Sequence, residues 1–555
     1  MEFVLPLFLL ILAAVCGGII ARVLKISPLV GYIVGGIVFG TILPPQVKNV
    51  ARLSEIGTIL LLFSIGLELS LTRLSRFIKI AVFGSLAQIV LVSLILFFFL
   101  QSLGFEPLTA FVLATGFSLS STAIVVKVLG DRGELDTIHG GISFGWLLVQ
   151  DLAVIPIMVV LPVLGQIGES GLFLSIAFSL AKALGIILGA ILLGKMIVPY
   201  LIHKIAEVNS RELLTISSVG LALGTAVGTS LLGVSPSLGA FLAGVVISEG
   251  QEHHAIFAET RPLRDLFVAL FFVSLGFLIT PSVVAGNLGI IFLLAAAVVV
   301  LKIVITFLIT TAFGFKGRTA VANAFGLGQV GEFSFVIYSA ALALGLLTRD
   351  NVTIGIGVTL VTLIVSPLLF RAILPVWRKL KKFKIFSPGE KCFFDNESLE
   401  NHIIICGYGR VGSWVGKALE NFNIPFVVIE YDRGIVSELR EKGIPVLYGD
   451  PGEVEILNSV NVQAAKVLVL AIPDMIAQEN LITYAQTLAP QVRIISRVHR
   501  GSDWEKFKTL RVNKIVQPEF EAAMAITRSI LSSMGKDKVQ IADIVKKIRI
   551  SHAKS

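Results

Sequence analysis

Long apolar segments of this chain contain ionisable side chains, among them Asp151, Lys302 and Glu332, and inside such a segment a charge is costly and is usually retained for function. Asp151 follows Gln150 in the middle of one such segment, which contains no lysine or arginine. A lone buried carboxylate binds a cation or a proton, but rarely both together, and this competition is what an exchange of the two ions requires. The alternative is a structural carboxylate that is paired with another helix.

Lys302 and Glu332 are two further charges inside apolar segments. Lysine shifts its pKa readily when it is buried, so Lys302 is expected to neutralise the empty site and to be displaced by the cation. A purely structural ion pair is the alternative. Glu332 is a second carboxylate, for which transport and structural roles are equally open. Glu68 lies near the end of its segment and is interpreted as structural.

Two apolar segments have polar or glycine-rich centres that permit unwound backbone. One contains Ser121 and Thr122, and the other contains three glycines within six residues, Gly326, Gly328 and Gly331. Within a membrane, unwound backbone is tolerated only beside protein or a cavity. We therefore expect two crossed broken helices, whose carbonyls and hydroxyls would suit a dehydrated alkali ion. Serines that only join neighbouring helices are the alternative.

A glycine loop near residue 407 has the spacing of a phosphate-binding loop. It runs from Gly407 through Gly409 to Gly412, with Arg410 and Val411 before the last glycine. The loop follows a short apolar run and opens a helix, and its glycines let the backbone approach phosphates at the helix N-terminus. The loop therefore predicts a nucleotide site, with a degenerate, empty fold as the alternative.

Acidic residues follow the neighbouring predicted strands. Glu430 ends the strand after the loop and is expected to accept the ribose hydroxyls, while Asp450 and Asp474 would line the same cleft. The expected ligand is an adenine nucleotide, with AMP or NAD(H) as leading candidates. No hydride-accepting substrate domain follows, so the nucleotide is expected to regulate and not to react.

The composition is that of a polytopic membrane protein. Of the 555 residues, 55% are hydrophobic and 15% are charged, against roughly a quarter charged in a soluble domain. The mean hydropathy is +0.89. These values exclude a disordered chain and disfavour a soluble enzyme. The net charge is +9, but the basic run at 378–384 follows the last apolar segment, which indicates membrane-edge anchoring in the cytoplasm and not nucleic-acid binding.

The apolar segments predict thirteen transmembrane helices, since a span needs about 20 residues. The expected spans are 2–22, 28–43, 53–71, 77–101, 108–128, 139–165, 171–202, 211–233, 235–250, 262–280, 286–313, 319–346 and 351–374. Basic residues concentrate in alternate loops, which places the N-terminus outside and the C-terminal part in the cytoplasm. The first segment is not interpreted as a cleaved signal.

An internal repeat relates the two halves of the membrane part. The pattern Ser-Pro-x-x-Gly-x4-Gly starts at Ser27 and again at Ser235, and Ser-x-Gly occurs at Ser64 and at Ser274. The offset of seven helices is odd, so the copies are expected to be inverted, as in secondary transporters with a midplane site. Chance similarity among small-residue helices is the alternative.

The chain after residue 400 reads as an α/β domain. Short apolar runs at 402–406, 426–430, 445–448, 467–471, 493–497 and 514–516 alternate with helical stretches, which predicts a mostly parallel sheet. The predicted organisation is a transmembrane exchanger domain at 1–374, a basic cytoplasmic linker at 375–400, a nucleotide-binding domain at 401–520, and one helix with a polar tail at 521–555.

These motifs together resemble the Kef-type potassium/proton antiporters of the monovalent cation:proton antiporter-2 family. The resemblance rests on Ile65–Leu69, Ser120–Ile124, Gln150-Asp151, Gln329–Phe333 and the glycine loop with Tyr448-Gly-Asp450. It implies a sodium/proton-antiporter-like membrane domain with a cytoplasmic regulator-of-potassium-conductance domain, a homodimer and an elevator-like movement. It also implies a cation site at Asp151, and Gln150 matches the potassium-associated variant of the Gln-Asp pair.

The expected function is therefore exchange of potassium for protons across the plasma membrane of a prokaryote. A sodium/proton antiporter and a ligand-gated potassium channel are the alternatives, and a membrane-tethered oxidoreductase lacks an acid/base constellation. A small ancillary cytoplasmic subunit is a further expected partner. Glutathione gating is doubtful, because Phe257 stands where the family's acidic loop carries its glutamate.

Overall fold

The fold is described from a computed structural model of the chain. The residues it describes are 4–24, 26–42, 51–68, 77–132, 134–135, 137–164, 185, 204–205, 207–208, 210–231, 236–248, 253–380, 391–392, 400–449, 451, 454–498, 504 and 507–552. The chain divides into two compact units, residues 1–128 with 141–380 and residues 129–140 with 381–555.

The first unit is helical. Its described helices are α1 (Val4–Val23), α2 (Pro28–Ile42), α3 (Ala51–Glu68), a π-helix (Ile80–Gly84), α4 (Ser85–Ser102), α5 (Pro107–Ser118), α6 (Thr122–Arg132), α7 (Ile138–Leu164), α8 (Arg211–Leu231), α9 (Pro236–Ser248), α10 (His253–Leu278), α11 (Pro281–Gly286), α12 (Leu288–Ala312), α13 (Gly317–Gly326), α14 (Phe333–Ala343) and α15 (Arg349–Leu380). Described helices occupy twelve of the thirteen predicted spans, and the seventh, 171–202, lies outside the described residues. Within the described part of the chain, six helical segments are long and apolar enough to cross a membrane by length and composition.

Both predicted interruptions are present, because helix α5 stops before α6 and helix α13 stops before α14. Leu119 turns extended (ψ 150°) after α5, and the glycine-rich stretch 327–332 separates α13 from α14. The two breaks meet: the Gly331 N–H donates to the Leu119 carbonyl at 3.0 Å, and the Ser120 hydroxyl donates to the Leu327 carbonyl at 2.9 Å. The broken helices therefore touch through their unwound backbones.

Glycines of the internal repeat make two reciprocal helix contacts. A Cβ built on Gly36 of α2 would lie 2.1 Å from the Val273 carbonyl of α10, and Gly36 packs on Gly276. A Cβ on Gly244 of α9 would lie 2.1 Å from the Phe63 carbonyl of α3, and Gly244 packs on Gly66. In the repeat predicted from the sequence, Gly244 corresponds to Gly36, and Gly66 corresponds to Gly276. A two-fold relation between the repeats requires this exchange.

The two unwound stretches, 119–121 and 327–332, meet at a place that we call the crossing. The main apolar core surrounds it. Phe117, Val330, Phe333 and Phe335 are buried there, and the Phe272 ring meets the Phe335 ring edge-to-face at 5.7 Å. Dense packing of this kind holds side chains in fixed rotamers. The polar groups at the crossing are therefore enclosed by rigid apolar walls.

The second unit contains a seven-stranded sheet. Its strands are β1 (Lys391–Cys392), β2 (Ile403–Cys406), β3 (Phe426–Glu430), β4 (Val446–Tyr448), β5 (Val467–Leu470), β6 (Arg493–Arg497) and β7 (Lys514–Val516). The order is β1-β4-β3-β2-β5-β6-β7; β1 pairs antiparallel and the other pairs are parallel. The helices are α16 (Arg410–Asn421), α17 (Arg433–Glu441), α18 (Met475–Leu488), α19 (Pro518–Ser533) and α20 (Lys538–His552). The predicted parallel sheet is confirmed, and β2 lies at its centre, where the strand order reverses direction.

Two predicted boundaries differ from the structure. Helix α15 continues to Leu380, past Pro375, and strand β1 lies within the predicted linker at 375–400. The predicted single C-terminal helix is two helices, because Gly535 (φ +72°) ends α19 and α20 begins again at Lys538. Met524, Ile541 and Val545 form a small core between α19 and α20. The apolar residues that form this core are interspersed with many charged residues, so the two separate helices are hard to recognise from the sequence.

Candidate functional site

Two carboxylates meet the N-terminal end of helix α6. The Thr122 hydroxyl, on the first residue of α6, donates to Oδ2 of Asp151 at 2.9 Å. The Ala123 N–H donates to Oε1 of Glu332 at 3.4 Å. Both acids are buried, and Glu332 is also the N-cap residue of α14. Helix N-termini carry partial positive charge and stabilise anions. The structure thus brings together Asp151, Thr122 and Glu332, as the sequence predicts.

Lys302 contacts the C-terminal ends of helices α5 and α13. Its Nζ donates to the carbonyls of Leu119 at 2.6 Å, Gln329 at 2.8 Å and Phe117 at 3.3 Å, and its side chain is 0% exposed. An ammonium has three donors, so these bonds use its full capacity. The expected role of Lys302 in neutralising the empty site stays a prediction. Carbonyls at helix C-termini carry partial negative charge, and they hold the ammonium at the crossing.

The charges at the crossing are therefore sorted by helix end. Carboxylates lie at the N-terminal ends of α6 and α14, and the ammonium lies at the C-terminal ends of α5 and α13. With all three groups ionised, the sum is −1. One monovalent cation or one proton is enough to neutralise this set.

Gln150, which the sequence places in the ion site beside Asp151, has both ends of its side-chain amide engaged. Its Oε1 accepts from the Ser120 N–H at 2.8 Å, and its Nε2 donates to Oε1 of Gln88 at 2.6 Å. Gln88 in turn donates to the Ser118 carbonyl at 3.0 Å. The Gln150 amide thus fixes the α5–α6 break from the side of α7. Sequence reasoning missed Gln88, whose signal is an amide in the middle of an apolar span.

The Ser121 side chain caps its own helix. Its hydroxyl accepts from the Ile124 N–H at 3.3 Å, as expected of an N-cap serine. Among the predicted membrane residues, Ser121 therefore shapes the start of α6, while Thr122 makes the contact with the carboxylate of Asp151.

The glycine loop has the predicted strand-loop-helix setting. Gly407 has φ +90°, a value that favours glycine, and its N–H donates to the Ile429 carbonyl at 2.9 Å. A Cβ on Gly412 would lie 2.0 Å from the Gly407 carbonyl, whereas a Cβ on Gly409 would meet no described atom within 4 Å. Helix α16 begins at Arg410, so the loop offers its helix N-terminus beside open space at Gly409.

Glu430 is bound to the loop itself. Its Oε2 accepts from the Tyr408 N–H at 2.7 Å, and its Oε1 accepts from the N–H groups of Tyr431 at 2.8 Å and Asp432 at 2.9 Å. A carboxylate has about four acceptor positions, so a place for a ribose hydroxyl remains. Glu430 therefore orders the loop, and its role toward a ribose stays a prediction.

Of the other two acids predicted to line the cleft, Asp474 is among the described residues and Asp450 is not. Oδ1 of Asp474 accepts from the Ala477 N–H at 3.0 Å and caps helix α18. Asp450 lies outside the described residues, although Gly449 before it follows strand β4. Arg410 is exposed and Val411 is half-buried at the start of α16. Asp474, Arg410 and Val411 flank the carboxyl ends of the parallel strands, where nucleotides bind in this class of fold.

Comparisons with known proteins agree with this architecture. A model of the transmembrane sodium/hydrogen exchanger matches residues 10–375, and a model of the TrkA-N domain matches residues 403–518. The putative cation/proton antiporter YbaL of Escherichia coli (strain K12) is 33% identical over 519 residues, covering 91% of this chain and 93% of the relative. The glutathione-regulated potassium-efflux system protein KefC of Cronobacter sakazakii is 31% identical over 523 residues, covering 92% and 82%.

A solved structure supports the fold of the membrane unit. The sodium proton antiporter MjNhaP1 from Methanocaldococcus jannaschii covers 67% of this chain and 99% of its own, with a TM-score of 0.54 at 18% identity. At this identity the similarity concerns the fold alone, that of a helical membrane antiporter.

Proposed function

This chain belongs to the sodium/hydrogen exchanger family, in the Kef-type group that carries a TrkA-N domain, and we propose that it exchanges potassium for protons. It is a multi-pass membrane transporter and not an enzyme. The observation that carries the proposal is the buried pair of carboxylates at the N-terminal end of α6, where Thr122 contacts Asp151 and Ala123 contacts Glu332.

Competition at one net negative charge accounts for exchange. The crossing carries −1 when Asp151, Glu332 and Lys302 are ionised, and either one cation or one proton restores neutrality. Because a buried net charge is strongly disfavoured, the loaded forms reorient more readily than the empty one. Asp151 is the proposed ligand of the cation, and the exchange is then one for one.

Potassium is proposed ahead of sodium on two grounds. The relative from Cronobacter sakazakii is named a potassium-efflux protein. Gln150 adds no second carboxylate beside Asp151, and a weaker field favours the ion that loses its water more cheaply. Alternating access by an elevator-like movement, a homodimer and an external N-terminus are parts of the same proposal, supported by the family and by the loop charges.

The proposed exchange is tested with Asp151→Asn in reconstituted vesicles that contain a pH dye. Asparagine keeps a hydrogen-bonding side chain beside Thr122 but carries no titratable charge, so potassium-driven proton movement should fall to the level of empty vesicles. Asp350→Asn, at the start of α15, is the matched control and should keep wild-type rates. Wild-type rates in Asp151→Asn would show that the site is elsewhere.

An adenine nucleotide is the proposed regulatory ligand of the second unit. The open space at Gly409, the N-terminus of α16 and the carboxylate of Glu430 support it. AMP and NAD(H) are the leading candidates. Binding alters transport only if the nucleotide has different affinities for two states of the protein. Glutathione gating is not proposed, because Phe257 replaces the acidic residue that the gated relatives carry.

A further inference from the structure

The side-chain amide of Gln329 is buried without a hydrogen-bond partner among the described residues. Gln329 is 0% exposed, and neither its Oε1 nor its Nε2 has a partner there. Buried amides are nearly always hydrogen-bonded, because an unpaired one loses its hydrogen bonds to water and gains none within the protein. An amide that stays unpaired at the enclosed crossing indicates a ligand that binds there reversibly.

The backbone around Gln329 is held firmly at the crossing. The Gln329 carbonyl accepts from Lys302 at 2.8 Å, the Val330 N–H donates to the Thr362 hydroxyl at 3.1 Å, and the Gly331 N–H donates to the Leu119 carbonyl at 3.0 Å. Three anchors in three successive residues leave little freedom at this point of the chain. The unpaired amide is therefore carried on rigid backbone, as a binding group should be.

Gln150 offers the opposite case within the same site. Both ends of its amide are engaged, with Gln88 and with the Ser120 N–H. The sequence places Gln150 beside the essential carboxylate, but its contacts make it a brace of the α5–α6 break. The Gln329 side-chain oxygen, a neutral oxygen without a partner among the described residues, lies in the other helix break, three residues before Glu332.

We propose that the side-chain oxygen of Gln329 is a ligand of the transported alkali cation. This inference rests on the proposed function. An amide oxygen has a weaker field than a carboxylate, so it adds a ligand without adding charge and favours the larger, more easily dehydrated ion. The unpaired amide raises the free energy of the empty site, and cation binding removes the share of that penalty that belongs to the oxygen. Gln329, and not Gln150, is then the amide that sets the preference for potassium.

The test compares Gln329→Met with Gln150→Met in the full-length protein. Methionine keeps the length of the side chain and removes its polar atoms. In purified protein without potassium, Gln329→Met should keep or raise the melting temperature, because an unpaired polar group is removed. Gln150→Met should lower it, because Gln88 and the Ser120 N–H lose their partner.

In vesicles, Gln329→Met should raise the potassium concentration for half-maximal proton movement by about 10- to 100-fold, the loss expected for one strong polar contact to a charge. The ratio of potassium to sodium affinity should fall with it, and stabilisation of the purified protein by potassium should weaken. If Gln329→Met does not fold, Gln329→Asn, shorter by one methylene, tests the same ligand and should show the same direction.

Three results would overturn the inference. These are an unchanged potassium affinity in Gln329→Met, an unchanged affinity in Gln329→Asn, or a melting temperature that falls in Gln329→Met as much as in Gln150→Met. The last result would mean that the amide is a structural brace like Gln150. A wild-type protein that moves no protons in response to potassium or sodium would instead overturn the proposed function, which keeps the two failures distinct.

Discussion

At the scale of single residues, the crossing is organised by the charge of helix ends. Asp151 and Glu332 face the N-terminal end of α6, and Lys302 bonds three carbonyls that end α5 and α13. Aligned peptide dipoles give those ends partial charges of opposite sign. Each buried charge is thus compensated by backbone, and Lys302 serves as a fixed cation of the fold.

Lys302→Met should destabilise the protein and not merely alter transport. Removing the ammonium leaves the carbonyls of Phe117, Leu119 and Gln329 without this donor, a loss of about 3–5 kcal/mol for a broken buried charge network. The measurement is the free energy of unfolding, or the melting temperature in detergent. Lys316→Met, at an exposed lysine before α13, is the control and should change neither. A stable Lys302→Met that only shifts the pH profile of transport would favour a titrating role.

His402, at the start of strand β2, makes the second unit sensitive to acid. Burial lowers the pKa of His402 below its ordinary value of 6.5, and the hydrogen bond to the Val460 carbonyl offsets this in part. Below pH 6.5 the unfolded chain binds a proton that the folded domain excludes, so stability is lost as the pH falls from 6.5.

The measurement is hydrogen exchange of strands β2 and β5 in the full-length protein, corrected for the intrinsic exchange rate at each pH. The protection of these strands should be lower at pH 5.5 than at pH 7.5. His402→Gln removes the titrating group and should lessen this acid-dependent loss of protection. An equal loss in the variant would assign the effect to other groups.

At the scale of elements, glycine contacts decide how closely the repeat helices approach. Gly36 and Gly244 each face a carbonyl oxygen of the neighbouring helix, and a Cβ would lie 2.1 Å from it. Small residues at such contacts let backbones pack closely in membranes. The reciprocal pairing of α2 with α10 and of α9 with α3 therefore depends on the lack of a side chain at these positions.

Gly36→Ala and Gly244→Ala should each destabilise the membrane unit by about 1–3 kcal/mol, the usual cost of forcing a methyl into packed space. Gly224→Ala in α8 is the control, because no described atom lies within 4 Å of its Cβ position. The control should be neutral or stabilising by up to about 1 kcal/mol, since alanine is the better helix former. Melting temperatures of the three variants in detergent measure this, and similar values for all three would contradict the close contacts.

At the scale of the whole molecule, one chain joins an exchanger to a nucleotide-binding fold. Helix α15 ends at Leu380 and strand β1 begins at Lys391, so residues 381–390 connect the two units in sequence. A nucleotide that distinguishes two states of the protein would shift transport by about 1–3 kcal/mol of coupling.

Gly409→Asp should abolish nucleotide binding without preventing exchange. The substitution puts a carboxylate in the open space beside the N-terminus of α16, where a phosphate is expected. Wild-type protein should be stabilised by AMP, NAD or NADH, and poorly by NADP, because Glu430 repels a 2′-phosphate. Thermal shift and vesicle transport with each nucleotide measure the two effects.

Gly409→Ala is the matched control for that variant. Its methyl meets no described atom within 4 Å, so the fold and most of the nucleotide affinity should remain. Absence of stabilisation of the wild-type protein by every one of these nucleotides would show that the cleft is not a nucleotide site.

The sequence by itself determined the elements and the chemical groups. Apolar length and period locate the helices, and short apolar runs locate the parallel strands, because both signals are local in the chain. Because buried charges are costly, Asp151, Lys302 and Glu332 can be recognised from the sequence as candidate functional residues. The two broken helices and the glycine loop follow in the same way from local runs of polar residues and glycines.

Only the tertiary structure decided which groups pair. Lys302 lies 183 residues from Leu119, and Gln88 lies 62 residues from Gln150. Nothing local in the sequence distinguishes a glutamine whose amide is engaged from one whose amide is not. The Gln150 amide is engaged and the Gln329 amide has no partner among the described residues, because hydrogen bonds are satisfied across packed helices, and that packing is set by the fold as a whole.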